Sequence, residues 1–326
     1  MDAMDGAGIE GQVKADARPI PNTGGLGIVT ALLLAATGMA SSFDLGDAAA
    51  MLDAGFAWPV IAALLVVHAT GLLDDRRPLP WLPKLAVMLL VPAAAAWLTD
   101  TRLLTALDPH VGGAWLSIAL TALWFATVMN AVNFMDNMDG LAGGTALVVA
   151  AALAGVAGIQ GQWGVAVGAA LLAGACAGFL PHNYPRARVF MGDGGSLVLG
   201  FALAYLTTRL TYIEAESARW DRLAVPLILL AVPLYDMLSV VLIRLAQGKS
   251  PFVGDLQHLS HRFERRGLSR PLAVASIWTL AAVLGVGGIV MAEASPRQAV
   301  LVTVQAMLAL ALLAAIERWM HTEATP

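Results

Sequence analysis

The 326-residue chain is 58% hydrophobic and only 13% charged, with a mean hydropathy of +0.73, where a soluble domain carries about 25% charged residues. That composition excludes an ordinary soluble protein, and a net charge of −4 with basic residues scattered through loops offers no nucleic-acid footprint. The single cysteine, Cys176, lies in an apolar block and reads as a small buried residue, so a disulfide framework and a thiolate metal site are excluded as well.

From Met1 to Arg18 the chain is polar, with neither the apolar core nor the basic leader of a cleavable signal peptide. Beyond it, apolar blocks of roughly 16 to 22 residues recur, each long enough to cross a hydrocarbon core about 30 Å thick. Ten membrane helices are predicted: Gly25 to Phe43, Phe56 to Leu73, Trp81 to Leu98, Ala114 to Asn133, Leu141 to Ile159, Trp163 to Pro181, Ser196 to Tyr212, Leu223 to Arg244, Pro271 to Ala292, and Gln298 to Ile316. The expected fold is therefore an all-α polytopic membrane protein. A polar segment (1–24) precedes a single integral-membrane domain (25–320), within which 245–270 is a polar loop. Gly-rich and Ala-rich stretches such as "AGGTALVVAAALAGVAG" suit close helix packing in lipid, and such faces suit a homodimer.

With the N-terminus inside, fourteen of the 19 Lys and Arg residues fall on the cytoplasmic side, leaving Arg102, Arg209, Arg219, Arg222 and Arg297 opposite. The acidic residues were not used for that assignment, yet it places every acidic motif on the cytoplasmic side. Trp97, Trp115, Trp163 and Trp319 lie near span ends, as an interfacial aromatic belt requires.

Chemistry-bearing residues follow in chain order. His68, inside a predicted span, reads as a packed or interhelical hydrogen-bonding residue. Asp74 and Asp75 end the second span; adjacent carboxylates repel unless a cation compensates, and a divalent metal or Arg76 and Arg77 would serve. Asn130, Asn133, Asp136 and Asp139 recur every three residues and would line one face if the helix continues through them, before Gly140 stops it. Such a row of oxygen-bearing side chains suits Mg2+ or a polar ligand, with capping as the plainer explanation. "FMGDGGS" sets Asp193 among glycines at a helix start, where backbone can approach a phosphate, although Asp-Gly-Gly is also ordinary turn chemistry. Phe190 beside it is a core residue or a stacking platform for a base. In the last polar loop Asp255, His258, His261 and Arg262 could bind an anionic diphosphate or hold a metal, but offer too few ligands for zinc.

Taken in order, "RPIPNTGGLGI", "LLDDRRPLPWLPK", "NAVNFMDNMDGLAGG", "NYPRARVFMGDGGS" and "SPFVGDLQHLSHRF" resemble the motifs of the polyprenyl-phosphate N-acetylhexosamine-1-phosphate transferase family. The resemblance covers nearly the whole chain. It implies transfer of a sugar 1-phosphate from a UDP-sugar to a polyprenyl (undecaprenyl) phosphate with release of UMP, in the inner membrane with the site facing the cytoplasm, for cell-envelope polysaccharide synthesis. It also implies Mg2+, or Mn2+ in its place. Asp193 matches the metal-binding aspartate, and Asp74 and Asp75 match the paired acidic motif, Asp74 being the candidate for a metal ligand and for positioning or deprotonating the lipid phosphate. Asp136 and Asp139 join these in the catalytic set. Lys84, Asn130, Asn133, Asn183, Phe190, Asp255, His258, His261 and Arg262 match substrate-binding positions. The histidine stretch looks closer to the branch using UDP-N-acetylglucosamine than to that using UDP-N-acetylmuramoyl-pentapeptide.

Three departures from the family pattern stand out. Only about 18 polar residues precede "RPIPNTGG", where members carry a further membrane helix, and such a segment cannot span. Asn137 stands where glycine is common, and Ser260 where many members show another histidine. A catalytically lapsed scaffold is the reading these departures motivate. A secondary transporter is disfavoured, because its carboxylates would sit near the bilayer midplane.

Overall fold

The protein's computed structural model describes residues 20–42, 54–210, 223–250 and 255–322. Most of the polar N-terminal segment, and residues 251–254 of the histidine motif, lie outside the described residues. The regular structure is helical: α1 (Gly24–Ser42), α2 (Ala54–Arg76), α3 (Trp81–Thr99), the short α4 (Asp108–Val111), α5 (Trp115–Met135), α6 (Leu141–Ile159), α7 (Trp163–Asn183), α8 (Asp193–Arg209), α9 (Ala224–Leu229), α10 (Ala231–Ala246), α11 (Leu259–Arg265), α12 (Arg270–Met291) and α13 (Pro296–Thr322).

Each of the ten predicted spans meets a helix, but among the described residues seven are long and apolar enough to cross a membrane: α2, α3, α5, α6, α7, α12 and α13. The expected count of ten is not reached on that measure. The apolar described part of α1 is only Gly24–Gly38, α8 has 17 residues, and Leu223 to Arg244 forms two helices rather than one. The break falls at Leu230, at φ −96° and ψ 10°. Its cause is Pro233, which has no amide to donate to the Leu229 carbonyl and whose ring crowds it.

The condition under which Asp136 and Asp139 would share a face with Asn130 and Asn133 is not met. Helix α5 ends at Met135, the Asp136 amide closes back on the Asn133 carbonyl at 3.1 Å, and Gly140 turns the chain at φ 79° into α6. Side chains at 136 and 139 therefore leave the face that Asn130 and Asn133 occupy.

Helix α8 is the hub. It packs on α1, α2, α5 and α7, and its residues are buried nearly all round, from Gly194 through Thr208. A helix enclosed by other helices needs no lipid-facing stripe, which explains its polar content, including Ser196, Thr207 and Thr208. The close approach depends on small residues. A Cβ at Gly71 of α2 would stand 2.5 Å from the carbonyl carbon and oxygen of Asp193 and from the Gly194 nitrogen. His68, one turn earlier, donates from Nδ1 to the Gly194 carbonyl at 2.8 Å, the interhelical bond expected of it. Cys176 is fully buried.

Four exposed tryptophans mark the opposite end of the bundle. Trp58 and Trp97 occupy the ends of α2 and α3 remote from Asp74 and Lys84, while Trp115 and Trp163 start α5 and α7, whose other ends carry Asn133 and Asn183. A fifth, Trp81, starts α3 near Lys84, and exposed tryptophans at both ends of the bundle fit the two interfaces of an integral membrane protein.

Backbone atoms cannot rotate away from a new methyl group, so Gly71→Ala is expected to lower stability by about 1–3 kcal/mol. The measurement is thermal unfolding of detergent-purified protein, and an unchanged midpoint would show that α2 and α8 are not held at this contact.

Candidate functional site

The end of the bundle that carries Asp74, Lys84 and Asn133 gathers the polar motifs around the first turn of α8. Gly192, at φ 67°, turns the chain into the helix, and a Cβ there would collide with Asn22 Oδ1 at 2.2 Å and Asp75 Oδ2 at 2.6 Å. Asp75 accepts the Asp193 amide on Oδ1 at 2.8 Å and the Gly194 amide on Oδ2 at 3.0 Å. A carboxylate from α2 thus caps α8, satisfying orphan amides and complementing the positive end of the helix dipole. Further support comes from the chain before α1. The Phe190 amide donates to the Pro21 carbonyl at 2.9 Å, and Gly24 donates to the Phe190 carbonyl at 2.9 Å.

With the turn so fixed, the Asp193 side chain projects into a cluster. The Lys84 ammonium bonds Asp74 Oδ2 at 3.0 Å and also bonds Asp193 Oδ2. Asn133 donates to Asp193 Oδ1 at 2.8 Å and to Ser196 Oγ at 2.9 Å. The remaining oxygen of Asp74 accepts the Leu79 amide at 2.6 Å. Asp74, Asp193 and Lys84 all keep partial exposure, with side chains 16%, 24% and 18% open, so the cluster is reachable from outside.

Two carboxylate oxygens from separate helices converging on one cation form a donor set of hard oxygens, which suits Mg2+ or Mn2+. Among the described residues no three His, Cys, Asp or Glu side chains converge. A metal held by Asp74 and Asp193 would thus take its other ligands from water and substrate phosphate, as Mg2+ commonly does. Asp75 has both oxygens committed to amides, and its part here is to hold the loop.

The other predicted residues divide into three groups. Asp139 accepts the Ala187 amide at 2.9 Å, while Asn183 accepts from Gly140 at 2.7 Å and donates to the Val189 carbonyl at 2.9 Å. These two side chains fasten the 136–140 turn to the 184–190 segment. Asp136 and Phe190 are half-buried in those same two segments. Asn130 donates to Ala126 of its own helix at 2.7 Å.

The histidine motif is docked separately. Asp236 of α10, 1% exposed, accepts from His258 Nδ1 at 2.8 Å and from the Leu259 amide at 2.6 Å. The His258 ring meets Phe134 edge-on at 5.5 Å, beside Asn133 in the chain. Arg244 lies over the other part of Phe134's surroundings, 5.3 Å from its ring centroid, and bonds Asp255 at 3.0 Å. Although burial acts to raise Asp255, the hydrogen bonds from Arg244 and the Gln257 amide outweigh it and hold the carboxyl below its ordinary value. Burial lowers the His261 imidazole, overcoming the opposing contact with Glu264. Arg262 is buried, paired with Glu317 of α13 at 2.8 Å and Ser239 at 2.8 Å, so it docks α11.

Sequence reasoning missed Asp236, Glu317 and the partner of Asn137. Asp236 had one available signal, a carboxylate inside an apolar span, which by itself marks a site of interest. The third omission joins two of the departures from the family pattern. Ser260, fully buried, donates to Asn137 Oδ1 at 2.5 Å, and Asn137 Nδ2 donates to the Phe134 carbonyl at 2.5 Å. The two residues thus form one latch between α5 and α11.

A shared hydrogen bond makes their losses non-additive. Ser260→Ala and Asn137→Ala are each expected to cost about 1–2 kcal/mol, with the double variant no worse than the poorer single one. Additive shifts in the melting temperature would show that the two side chains act independently.

The family model for glycosyl transferase family 4 matches residues 57–211, a range that includes Asp74, Lys84, Asn133 and Asp193. The chain is 33% identical over 311 residues to the decaprenyl-phosphate N-acetylglucosaminephosphotransferase of Mycobacterium tuberculosis, covering 86% of this chain and 74% of that protein. The corresponding protein of Mycobacterium leprae is 32% identical over 305 residues, at 86% and 75% coverage. The undecaprenyl-phosphate alpha-N-acetylglucosaminyl 1-phosphate transferase of Escherichia coli K12 is 30% identical over 252 residues, at 72% and 65% coverage. With these motifs gathered at one end of a helical membrane bundle, the chain belongs to the polyprenyl-phosphate N-acetylglucosamine-1-phosphate transferase family.

Proposed function

We propose that the protein transfers N-acetylglucosamine 1-phosphate from UDP-N-acetylglucosamine to a polyprenyl phosphate, releasing UMP. The observation that carries this reading is the convergence of Asp74, Asp193 and Lys84 at the open end of a membrane bundle. There a water-soluble nucleotide and a lipid headgroup can meet. The names of the relatives give the same transferred group and acceptor. The positive-inside count supports a cytoplasm-facing site in the inner membrane.

In the reaction an oxygen of the lipid phosphate attacks the phosphorus that bears the sugar, and the bond from that phosphorus to the bridging oxygen breaks. UMP carries away the bonding electrons. A phosphate monoester with a second pKa near 6 is already largely dianionic at pH 7, so no strong base is needed. Asp74 is accordingly assigned a positioning role, held by Leu79 and Lys84. Lys84 supplies positive charge where the phosphates gather, and Asn133 fixes the Asp193 carboxylate. Bound between Asp74 and Asp193, Mg2+ would neutralise the charge that develops on the diphosphate. Phe190 offers its ring to the uracil, in the loop that Asp139 and Asn183 hold.

Purified protein given Mg2+, polyprenyl phosphate and UDP-N-acetylglucosamine is expected to release UMP, and chelation to stop it. Asp193→Asn should reduce turnover by on the order of 100-fold or more, as loss of a charge-stabilising group does, while leaving the folded yield unchanged. No UMP from a panel of UDP-sugars and lipid phosphates of two chain lengths would sink the reading.

A further inference from the structure

Asp236 is buried to 1% exposure, lies on no predicted motif, and sends both carboxylate oxygens into the histidine segment. An ionised carboxylate can only accept, so the His258 Nδ1 beside it at 2.8 Å must carry a hydrogen. That bond settles which ring nitrogen is left for a ligand. The ring's position is set as well, by the edge-on contact with Phe134 at 5.5 Å. Phe134 adjoins Asn133, whose amide holds Asp193, so the imidazole and the phosphate-handling cluster are both anchored at the same end of α5.

We propose that Asp236 is a positioning residue that fixes His258 in the Nδ1–H form, leaving Nε2 as the proton-accepting atom offered to a substrate phosphate. Resting on the transferase reading, the step is balanced: the minor fraction of lipid phosphate that still carries an O–H at pH 7 passes its proton to Nε2, and the imidazolium so formed donates back to that phosphate oxygen. Asp236 offsets the imidazolium charge, and the proton returns to a phosphate oxygen when product leaves. The neighbouring Leu259 amide makes this testable. It needs an acceptor at 2.6 Å, so in an Asp236→Asn variant the amide oxygen must face Leu259 and the NH2 must face His258. The ring would then have to accept at Nδ1 and carry its hydrogen on Nε2, the wrong atom for proton uptake.

Long-range proton–nitrogen spectra of protein labelled at histidine distinguish the two forms. The wild type should show His258 as Nδ1–H, and D236N should show Nε2–H with kcat for UMP release reduced about 10–100-fold and little change in KM for UDP-N-acetylglucosamine. D236N added to His258→Gln should cost nothing further. An unswitched ring with lost activity, a switched ring with full activity, or additive losses would each overturn the proposal. If D236N does not fold, a wild-type ring protonated at Nε2 alone would overturn it. If the wild type releases no UMP, the transferase reading fails while the spectra still decide whether Asp236 sets the ring.

Discussion

The Asp75 carboxylate takes the amide hydrogens of Asp193 and Gly194, and the active end of the bundle is organised by that contact. It joins the end of α2 to the start of α8, so the two helices that bring carboxylates to the cluster cannot shift independently. Without it the first amides of α8 would be unpaired in a crowded interior, which costs on the order of a kcal/mol or more per group. The pairing of two adjacent aspartates thereby becomes intelligible: one spends its charge on the helix terminus, and its neighbour stays partly open beside Lys84.

A second layer of polar contacts holds what that cap leaves loose. Asp139 and Asn183 fasten the turn after α5 to the segment before α8, and Asn137 with Ser260 fastens the same turn to α11. Glu317 at the far end of the chain pairs with Arg262 and accepts from Tyr235 at 2.7 Å. Every element that borders the cluster is thus tied down by a charged or amide side chain, and few of those side chains remain for substrate.

How much of this could be read in advance depended on the distance over which the physics acts. Helices follow from runs of apolar residues, a local property, and each of the ten predicted spans found one. The break at Leu230 was also local and could have been read from Pro233. Side-chain partnership is different, because a sequence shows that Asp75, Asp139 and Arg262 are charged but not that amides or a distant Glu317 already satisfy them. Residues picked as ligands were therefore divided by the structure into those facing an opening, such as Asp74 and Asp193, and those engaged in fastening loops. Asp236 stayed hidden because its partner His258 is 22 positions away, across a turn no periodicity describes.

The enclosure of α8 bears on how the protein is made. Its neighbours α1, α2, α5 and α7 all precede it in the chain, so during synthesis each can enter the membrane before α8 emerges. A helix with Asp193, Ser196 and two threonines would partition poorly into lipid by itself. Chain order removes that need: α8 follows all of these helices, so the slot it fills, including the Asp75 that receives its first amides, is synthesised before it.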